Sequence, residues 1–566
     1  LNCSIEHRLE FTPPELGLPE KFAHWRPGQD DAVARILDST ARFVGVGMPT
    51  GGGKTLVYVA AARLLGKRTV ILTSTKGLQS QLLDDFQSLG MTDIRGRANY
   101  RCCIDSLNCE QGAHVRCSVR RSDDCDYYHH YRLAVGAELV VTNYAYWPMI
   151  HRYGEGLGKV DMLVCDEAHD APDAVCSIMT VAISPQDVFR RLRLDWPRDT
   201  DSVACWRQWA SRCLPVGEEY KEAIAEEVRT TPSPSARLVQ EMTHAASLCA
   251  NLATLAASRG EWVSETSAGG GWRLAPVWPA EYAEDVLFLA IPKVVLVSAT
   301  LLPKTLEILG IDIAGQAQPG DTEDGGGDGV GKRTYEFFSY PSTFPPRRSP
   351  VYHVPTCRVH HNWNSDNQTE WLKKIDSIIE GRLDRRGLIH SVSYDRRDLI
   401  LSRSRFADYM LSHQPGSEAA MEQVRRHCNT PPPSILLSPA MTTGYDFAGD
   451  ACEYIIVCKV PFPDTRSRIT QARCGRLYPT GSWERERGRE YELYSAIQTL
   501  VQESGRGMRS DKDQCEVFVV DDHIVWIMRR YLKLVPVWWR RLYVPLRAGS
   551  GIPKPPPALV WAAGPR

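Results

Sequence analysis

The 566-residue sequence predicts an α/β protein of two lobes, each built on a mostly parallel sheet. Three observations predict it. Short, nearly all-apolar runs alternate with helical patterns, as strands covered on both faces do. The runs fall into two sets on either side of a Gly- and Asp-rich stretch. A chain of this length also exceeds what one hydrophobic core serves.

The first set is Phe43 to Met48, Thr69 to Ser74, Glu138 to Asn143, Asp161 to Asp166 and Lys293 to Ser298. The second comprises GLIHS from Gly387, SILLS from Ser434, EYIIVC from Glu453 and CEVFVV from Cys515. Between them Ala314 to Lys332 carries few hydrophobes and reads as a flexible link or surface loop. Two insertions interrupt the first set. One is cysteine-rich, from about Gly96 to Arg132. The other, from about Cys176 to Asp285, carries helical patterning over Glu218 to Val228 and Ala236 to Ser258.

Composition narrows the function classes. Hydrophobic residues make 43% and charged residues 24%, the balance of a soluble globular protein. No apolar run reaches the ~18–20 residues that cross a bilayer. The aromatic, basic segment Val525 to Leu546 is broken by arginines and Pro536, so packing on the second lobe is expected. With 67 basic and 68 acidic side chains the net charge is −1, so any nucleic-acid contact is expected in a local groove. Most of the 17 cysteines lie singly in apolar runs, as reduced cysteines of a cytoplasmic protein do. Five crowd between Cys102 and Cys125.

MPTGGGKT, Met48 to Thr55, follows the first strand and opens a helical run. Thr50 and the glycines Gly51, Gly52 and Gly53 suit a backbone that turns its N–H groups toward phosphate. Lys54 would reach the β- and γ-phosphates and Thr55 would help hold Mg²⁺. VCDEAHD, Val164 to Asp170, ends another apolar strand. There Asp166 is placed to hold Mg²⁺ through water and Glu167 to activate the attacking water. In the second lobe QESGRGMR carries Gln502, Arg506 and Arg509; the arginines stand three apart and could face one ATP phosphate. The phosphate loop differs from the generic pattern in placing Met48 where a glycine is usual.

Taken together these segments resemble the XPD/DinG family of superfamily 2 iron–sulfur helicases, over most of residues 20 to 545. WRPGQ, with Arg26 and Gln29, is similar to the family's adenine-reading motif. TSTKGLQSQ from Thr73, VTNYAY from Val141 and VSATL from Val297 resemble motifs of its first lobe. GLIHSVSY, SPAMTTGYDFAGD (with Gly444 and Asp446) and KVPFPD resemble motifs of the second. The resemblance implies two RecA-like P-loop lobes with parallel sheets, an iron–sulfur insertion and a helical arch-like insertion in the first lobe.

The expected division is 1–95, 135–175 and 286–313 for the first motor lobe and 96–134 for the iron–sulfur insertion. The arch-like insertion takes 176–285, the flexible link 314–333, the second motor lobe 334–547 and an irregular tail 548–566. The compact length resembles short bacterial or phage versions.

The resemblance implies four thiolates on a cluster, assigned to Cys102, Cys109, Cys117 and Cys125, with Cys103 as the spare that could replace Cys102. Four thiolates suit a [4Fe–4S] cluster. They would also suit zinc, although separations of seven, eight and eight residues lack the paired CxxC of zinc ribbons. Expected cofactors are therefore ATP, Mg²⁺ and [4Fe–4S].

Expected partners are single-stranded DNA and DNA duplex junctions, with no membrane, and the chain is expected to act as a monomer. The family also implies 5′→3′ movement. Candidate strand contacts are Arg97, Tyr100, Arg120, Arg121, Tyr127, Tyr128, Asn143 and Tyr144, each of which has an ordinary packing or surface alternative. His114, His129 and His130 read as surface or DNA-facing. Competing readings are an ATP-driven translocase or clamp that never separates strands, and an RNA helicase.

Overall fold

A computed structural model describes residues 9–104, 107–113, 117, 119, 121–122, 124–232, 234–267, 269–311, 335–360, 362–414, 416–439, 447, 449–508 and 513–557. The link expected over 314–333 lies outside them.

The chain forms β1 (Phe43–Gly47), β2 (Thr69–Thr73), β3 (Thr92–Asp93), β4 (Leu139–Asn143) and β5 (Met162–Asp166). A small antiparallel sheet follows from β6 (Val181–Ile183), β7 (Trp262–Thr266) and β8 (Trp272–Pro276). β9 (Lys293–Ser298) and β10 (Tyr335–Ser339) then return to the first sheet, whose order is β10-β1-β9-β5-β2-β4-β3, parallel throughout. β1, β2, β5 and β9 are buried along their whole length, as central parallel strands require.

The second sheet uses β11 (Val351–His353), β12 (Arg386–His390), β13 (Met410–Ser412), β14 (Ser434–Ser438), β15 (Tyr454–Val457), β16 (Glu516–Val519) and β17 (Tyr543–Pro545). Its order is β13-β14-β12-β15-β16-β11-β17, again parallel. The two parallel-sheet α/β lobes are RecA-like.

Two expectations need correction. The second lobe is expected to open at residue 334, yet β10 pairs with β1 of the first, Phe43 opposite Tyr335 and Gly47 opposite Ser339. The segment over 176–285 is not purely helical. Its long helices Val203–Thr230 and Ala236–Ala256 pack together beside the β6-β8-β7 sheet. Trp206 and Trp209 are buried there, with Trp262 edge-on to Tyr282.

The lobes meet where the chain leaves β9. The Ala299 carbonyl accepts from Trp538 Nε1 at 3.0 Å, and Thr305 and Tyr494 hydroxyls lie 2.6 Å apart. Lys304 pairs with Glu490 at 2.8 Å. Leu302 and Ile308 of the first lobe are buried in the second lobe's core. Trp539 Nε1 donates to Ser504 at 2.7 Å, so the aromatic C-terminal segment packs on the second lobe as expected. Among the described residues no helix is long and apolar enough to cross a membrane.

Candidate functional site

Register sets the site. Gly47 at the end of β1 lies opposite Ser298 of β9, and Asp166 of β5 lies opposite Val297. Three strands thus deliver a phosphate-loop candidate, two carboxylates and a serine to one edge. Ligand sites of parallel sheets form off this carboxyl edge.

The loop runs from Met48 to Gly53 and opens the helix Lys54–Leu65. Gly53 takes φ +73°, and a Cβ there would collide with the Gln29 side chain. Only glycine satisfies both demands. Gln29 Nε2 donates to the Gly52 and Gly53 carbonyls, 3.0 Å each, and its Oε1 accepts from Arg26 N at 2.7 Å. The Arg26 guanidinium donates to the Gly51 carbonyl at 2.5 Å. Arg26 and Gln29 therefore shape the loop directly. With those carbonyls held aside, Lys54 and the amino end of its helix are left to receive an anion.

Glu167 has φ +48°, which turns its carboxylate back so that Oε1 stands 3.3 Å from Lys54 Nζ. Asp166 is buried. Its carboxylate accepts from Tyr58 OH at 3.2 Å and Glu167 N at 3.0 Å, and its carbonyl accepts from Tyr144 OH at 2.8 Å. The Thr55 hydroxyl contacts the same Tyr58 phenol, so Thr55 and Asp166 face one point.

Burial, then the Glu167 charge, pushes the Asp166 carboxyl above its ordinary range. Burial also acts to raise Glu167, but Lys54 and His169 outweigh it and hold that carboxyl low. A buried carboxyl that burial tends to neutralise, beside a hydroxyl, is a donor set suited to a divalent cation, whose charge would favour the ionised form.

Sequence reasoning missed the continuation of this site. His169 Nδ1 lies 2.6 Å from Ser298 Oγ, which in turn donates to Glu167 Oε2 at 3.2 Å. Burial acts to lower the His169 pKa, yet Asp170 and Glu167 lift it to about 9. Thr300 N donates to Ser298 Oγ at 3.2 Å, and the Thr300 carbonyl accepts from Gln498 Nε2 of the second lobe at 2.7 Å. A hydrogen-bonded path thus links Lys54 and Glu167 to the helix Trp483–Ser504. Gln498 stands four residues before Gln502 on that helix, a spacing that offered the one available signal.

Gln502 lies in the last turn of this helix, where its carbonyl accepts from Gly505 N at 3.2 Å. A Cβ added at Gly505 would stand 3.1 Å from Thr50 Oγ1, so the segment carrying Arg506 abuts the phosphate loop. Beside Arg506, Glu503 and His390 are buried, with Oε1 and Nδ1 3.8 Å apart. Arg509, Gly444 and Asp446 lie outside the described residues.

All five clustered cysteines line one cavity of about 140 Å³, together with Arg97, Gly112 and Tyr128. Cys117 Sγ is 3.9 Å from Cys102 and 3.3 Å from Cys103. A Cβ at Gly112 would collide with Cys102 Sγ, so glycine lets the Cys109–Gly112 helix close on that thiol. Burial raises both Cys109 and Cys117 thiols to about 12, with Cys125 adding to the first and Cys103 to the second.

A single zinc with Zn–S bonds of ~2.3 Å draws four sulfurs to within ~4 Å of one another. Among the described residues only Cys102, Cys103 and Cys117 approach mutually to within 4.8 Å. These three form a thiol set compatible with a metal, and Cys109 and Cys125 line the same cavity.

The strand contacts expected near this cavity need correction. Tyr127, Tyr128 and Tyr144 are buried. Tyr127 OH bonds Tyr146 OH at 2.8 Å, and Arg97 stacks over Tyr127 at 4.7 Å. Tyr100 is half-buried and accepts from Arg95 N at 3.2 Å. Asn143 Oδ1 accepts from Tyr146 N at 2.9 Å, and Arg121 pairs with Glu155 at 2.6 Å on the surface. His129 is exposed; Arg120 and His114 lie outside the described residues.

A better surface lies off the carboxyl ends of β12, β15 and β16. A groove of about 1210 Å³ there is lined by Arg358, Arg396, Lys459, Arg466, Arg476 and Arg489, with Trp363, Tyr394, Phe462 and Trp526 among them. Asp464 and Glu492 pair with Arg466 and Arg476 respectively, each at 2.5 Å, and Asp395 also lines the groove; among the described residues Arg358, Arg396, Lys459 and Arg489 form no salt bridge. Val392 in its wall has φ +64°, rare for a β-branched residue and typical of backbone held for function. Cations with interleaved aromatic rings are what single-strand binding draws on.

The DEAD/DEAH box helicase family model matches residues 26–177, and the helicase C-terminal domain model matches 387–542. The chain is 24% identical over 216 residues to a probable ATP-dependent helicase of Methanocaldococcus jannaschii, covering 31% of this chain and 33% of that protein. It is 38% identical over 80 residues to the ATP-dependent DNA helicase YoaA of Haemophilus influenzae, covering 12% of each. The chain thus matches a third or less of the length of these relatives. An XPD helicase structure superposes with a TM-score of 0.57 at 14% identity, covering 92% of this chain and 98% of the other. Xpd4 of S. tokodaii gives 0.56 at 14%, covering 92% and 100%.

Proposed function

Because the chain is an XPD/DinG-like member of the superfamily 2 helicases, we propose that it is an ATP-dependent DNA helicase that moves 5′→3′ on single-stranded DNA and opens duplex. One observation carries the reading most: the path Lys54–Glu167–Ser298–Thr300–Gln498, which joins the nucleotide candidates of one lobe to a helix of the other. The groove of cations and aromatic rings lies on that second lobe.

Arg26 and Gln29 shape the loop, Lys54 meets the phosphates, and Glu167 orients the attacking water. Thr55 and Asp166 would hold Mg²⁺, which supplies charge stabilisation at the phosphates. Arg506, and by family resemblance Arg509, complete the site from the second lobe. The rest is coupling. When the γ-phosphate is lost, Lys54 and Glu167 readjust, and Ser298 and Thr300 carry that change to Gln498. Alternating grip on the strand by the two lobes then moves it.

Cys109, Cys117, Cys125 and one of Cys102 and Cys103 would hold the [4Fe–4S] cluster, which braces the inserted segment where strands part. YoaA is itself named an ATP-dependent DNA helicase, which favours DNA over RNA here. The test is ATP hydrolysis by the purified chain with and without single-stranded DNA. Stimulation by DNA in the wild type, and none in Lys54→Ala, is expected. Equal hydrolysis with and without DNA would remove the reading.

A further inference from the structure

A second concavity, of about 480 Å³, adjoins the second-lobe groove and shares Arg358 and Trp526 with it. Its other cations are Arg529 and Arg530, the exposed last two residues of the helix His523–Arg530. One carboxylate lines it, Asp522: Oδ1 accepts from Thr356 N at 3.1 Å and lies 2.9 Å from His353 Nε2, and the nearby Arg358 charge also helps keep it ionised. Among the described residues no ion pair joins Arg358, Arg529 or Arg530 to a carboxylate.

Basic residues often sit at a helix C-terminus simply to meet its partial negative charge. That accounts for a position in the last turn. It accounts neither for Arg358, which comes from the segment after β11, nor for the concavity the three surround. Asp522 offsets part of the charge of Arg358, whereas Arg529 and Arg530 are exposed and form no salt bridge among the described residues. Guanidinium also matches phosphate geometry better than ammonium does. Trp526 lines both hollows, with its ring packed edge-on to Tyr531 at 4.9 Å, so it stands at the passage from one to the other.

We propose that the single strand crossing the groove continues past Trp526 into this pocket, where Arg358, Arg529 and Arg530 hold its phosphates. The ligand class is a single-stranded polynucleotide backbone, and the proposal rests on the strand-moving reading above. The second lobe then grips more nucleotides than its motif segments alone define, which lengthens the contact kept while the other lobe lets go.

The test uses the full chain and oligo-dT of graded length, with fluorescence anisotropy over a salt series. Arg529→Ala with Arg530→Ala removes two expected phosphate contacts. Both side chains are exposed, so the variant should fold, checked by its unfolding curve. Each lost contact lowers the log–log salt slope by ~0.7, so a drop of ~1.4 is expected for long oligomers. Oligomers short enough to fill the groove alone should bind as they do to the wild type.

An unchanged slope for long oligomers overturns the proposal, as does an equal loss for short and long ones. Lys459→Ala with Arg489→Ala in the groove separates the two readings. If that variant weakens binding while the pocket variant does not, only the pocket assignment fails. If the groove variant binds as the wild type does, the strand reading itself fails. Pocket-dependent binding to phosphatidylserine vesicles, with oligo-dT binding unaltered, would reassign the arginines to a membrane surface.

Discussion

Gln498, on a helix of the second lobe, donates a 2.7 Å hydrogen bond to the backbone carbonyl of Thr300 in the first. Thr300 N in turn donates to Ser298, whose hydroxyl donates to Glu167. The carboxylate placed to activate water is thus two residues removed from the opposite lobe. Removing Gln498 by Gln498→Ala deletes a buried hydrogen bond worth ~1 kcal/mol. The expected result is a roughly fivefold fall in the ratio of DNA-stimulated to basal hydrolysis. A parallel fall in both rates, with the ratio kept, would make Gln498 a purely structural contact.

Lys54→Ala and Glu167→Gln should separate binding from chemistry. Glu167→Gln keeps a similar shape but cannot serve as a base, so hydrolysis should fall by ~10²–10³ while nucleotide binding persists. Lys54→Ala should lose hydrolysis and nucleotide affinity together, since Lys54 also balances the Glu167 charge at 3.3 Å. Nucleotide binding by fluorescence and phosphate release together decide the matter.

The cysteine cavity makes its own forecast. Cys109→Ser and Cys125→Ser each remove a buried cysteine from its lining and should abolish bound iron. Of Cys102→Ser and Cys103→Ser, one should lose the iron and the other should keep roughly four irons per chain and the visible colour. Metal analysis of anaerobically purified protein reads this directly. Retention of one zinc and no iron would assign the cavity to a single ion.

Glu503 predicts a pH dependence. Burial raises its carboxyl to about 8, with Arg506 acting against the shift. An unfolded glutamate ionises near ~4.3, so above that pH the unfolded state sheds a proton the folded state keeps. The folded state therefore loses relative stability as pH rises from the unfolded value to about 8. Glu503→Gln removes this loss, so its advantage in melting temperature over the wild type should grow across that window and level off above it. A constant difference across the window would contradict the assignment.

Much of the architecture was legible because central parallel strands must be apolar on both faces, as β1, β2, β5 and β9 are. The short edge strands β3, β13 and β17, and the three-residue β11 beside β17, lack that signature. β10 was misassigned because its partner, β1, lies nearly three hundred residues earlier in the chain. The phosphate loop and the DEAH segment were legible because their chemistry is local. The burial of Tyr127 and Tyr144 was not, since tyrosine serves cores and stacking surfaces equally well. Gln498 and the groove depend on parts of the fold brought together from distant segments; for Gln498 the four-residue spacing to Gln502 was the one local signal, and none marks the groove.

Strand displacement tests the central claim most directly. A labelled DNA duplex with a 5′ single-stranded tail, its 3′-tailed counterpart and a blunt duplex would each be mixed with the protein and excess ATP. The account predicts ATP-dependent release from the 5′-tailed duplex, little from the others, and none with Lys54→Ala. DNA-stimulated hydrolysis with no release from any of the three would contradict it and leave a translocase or clamp.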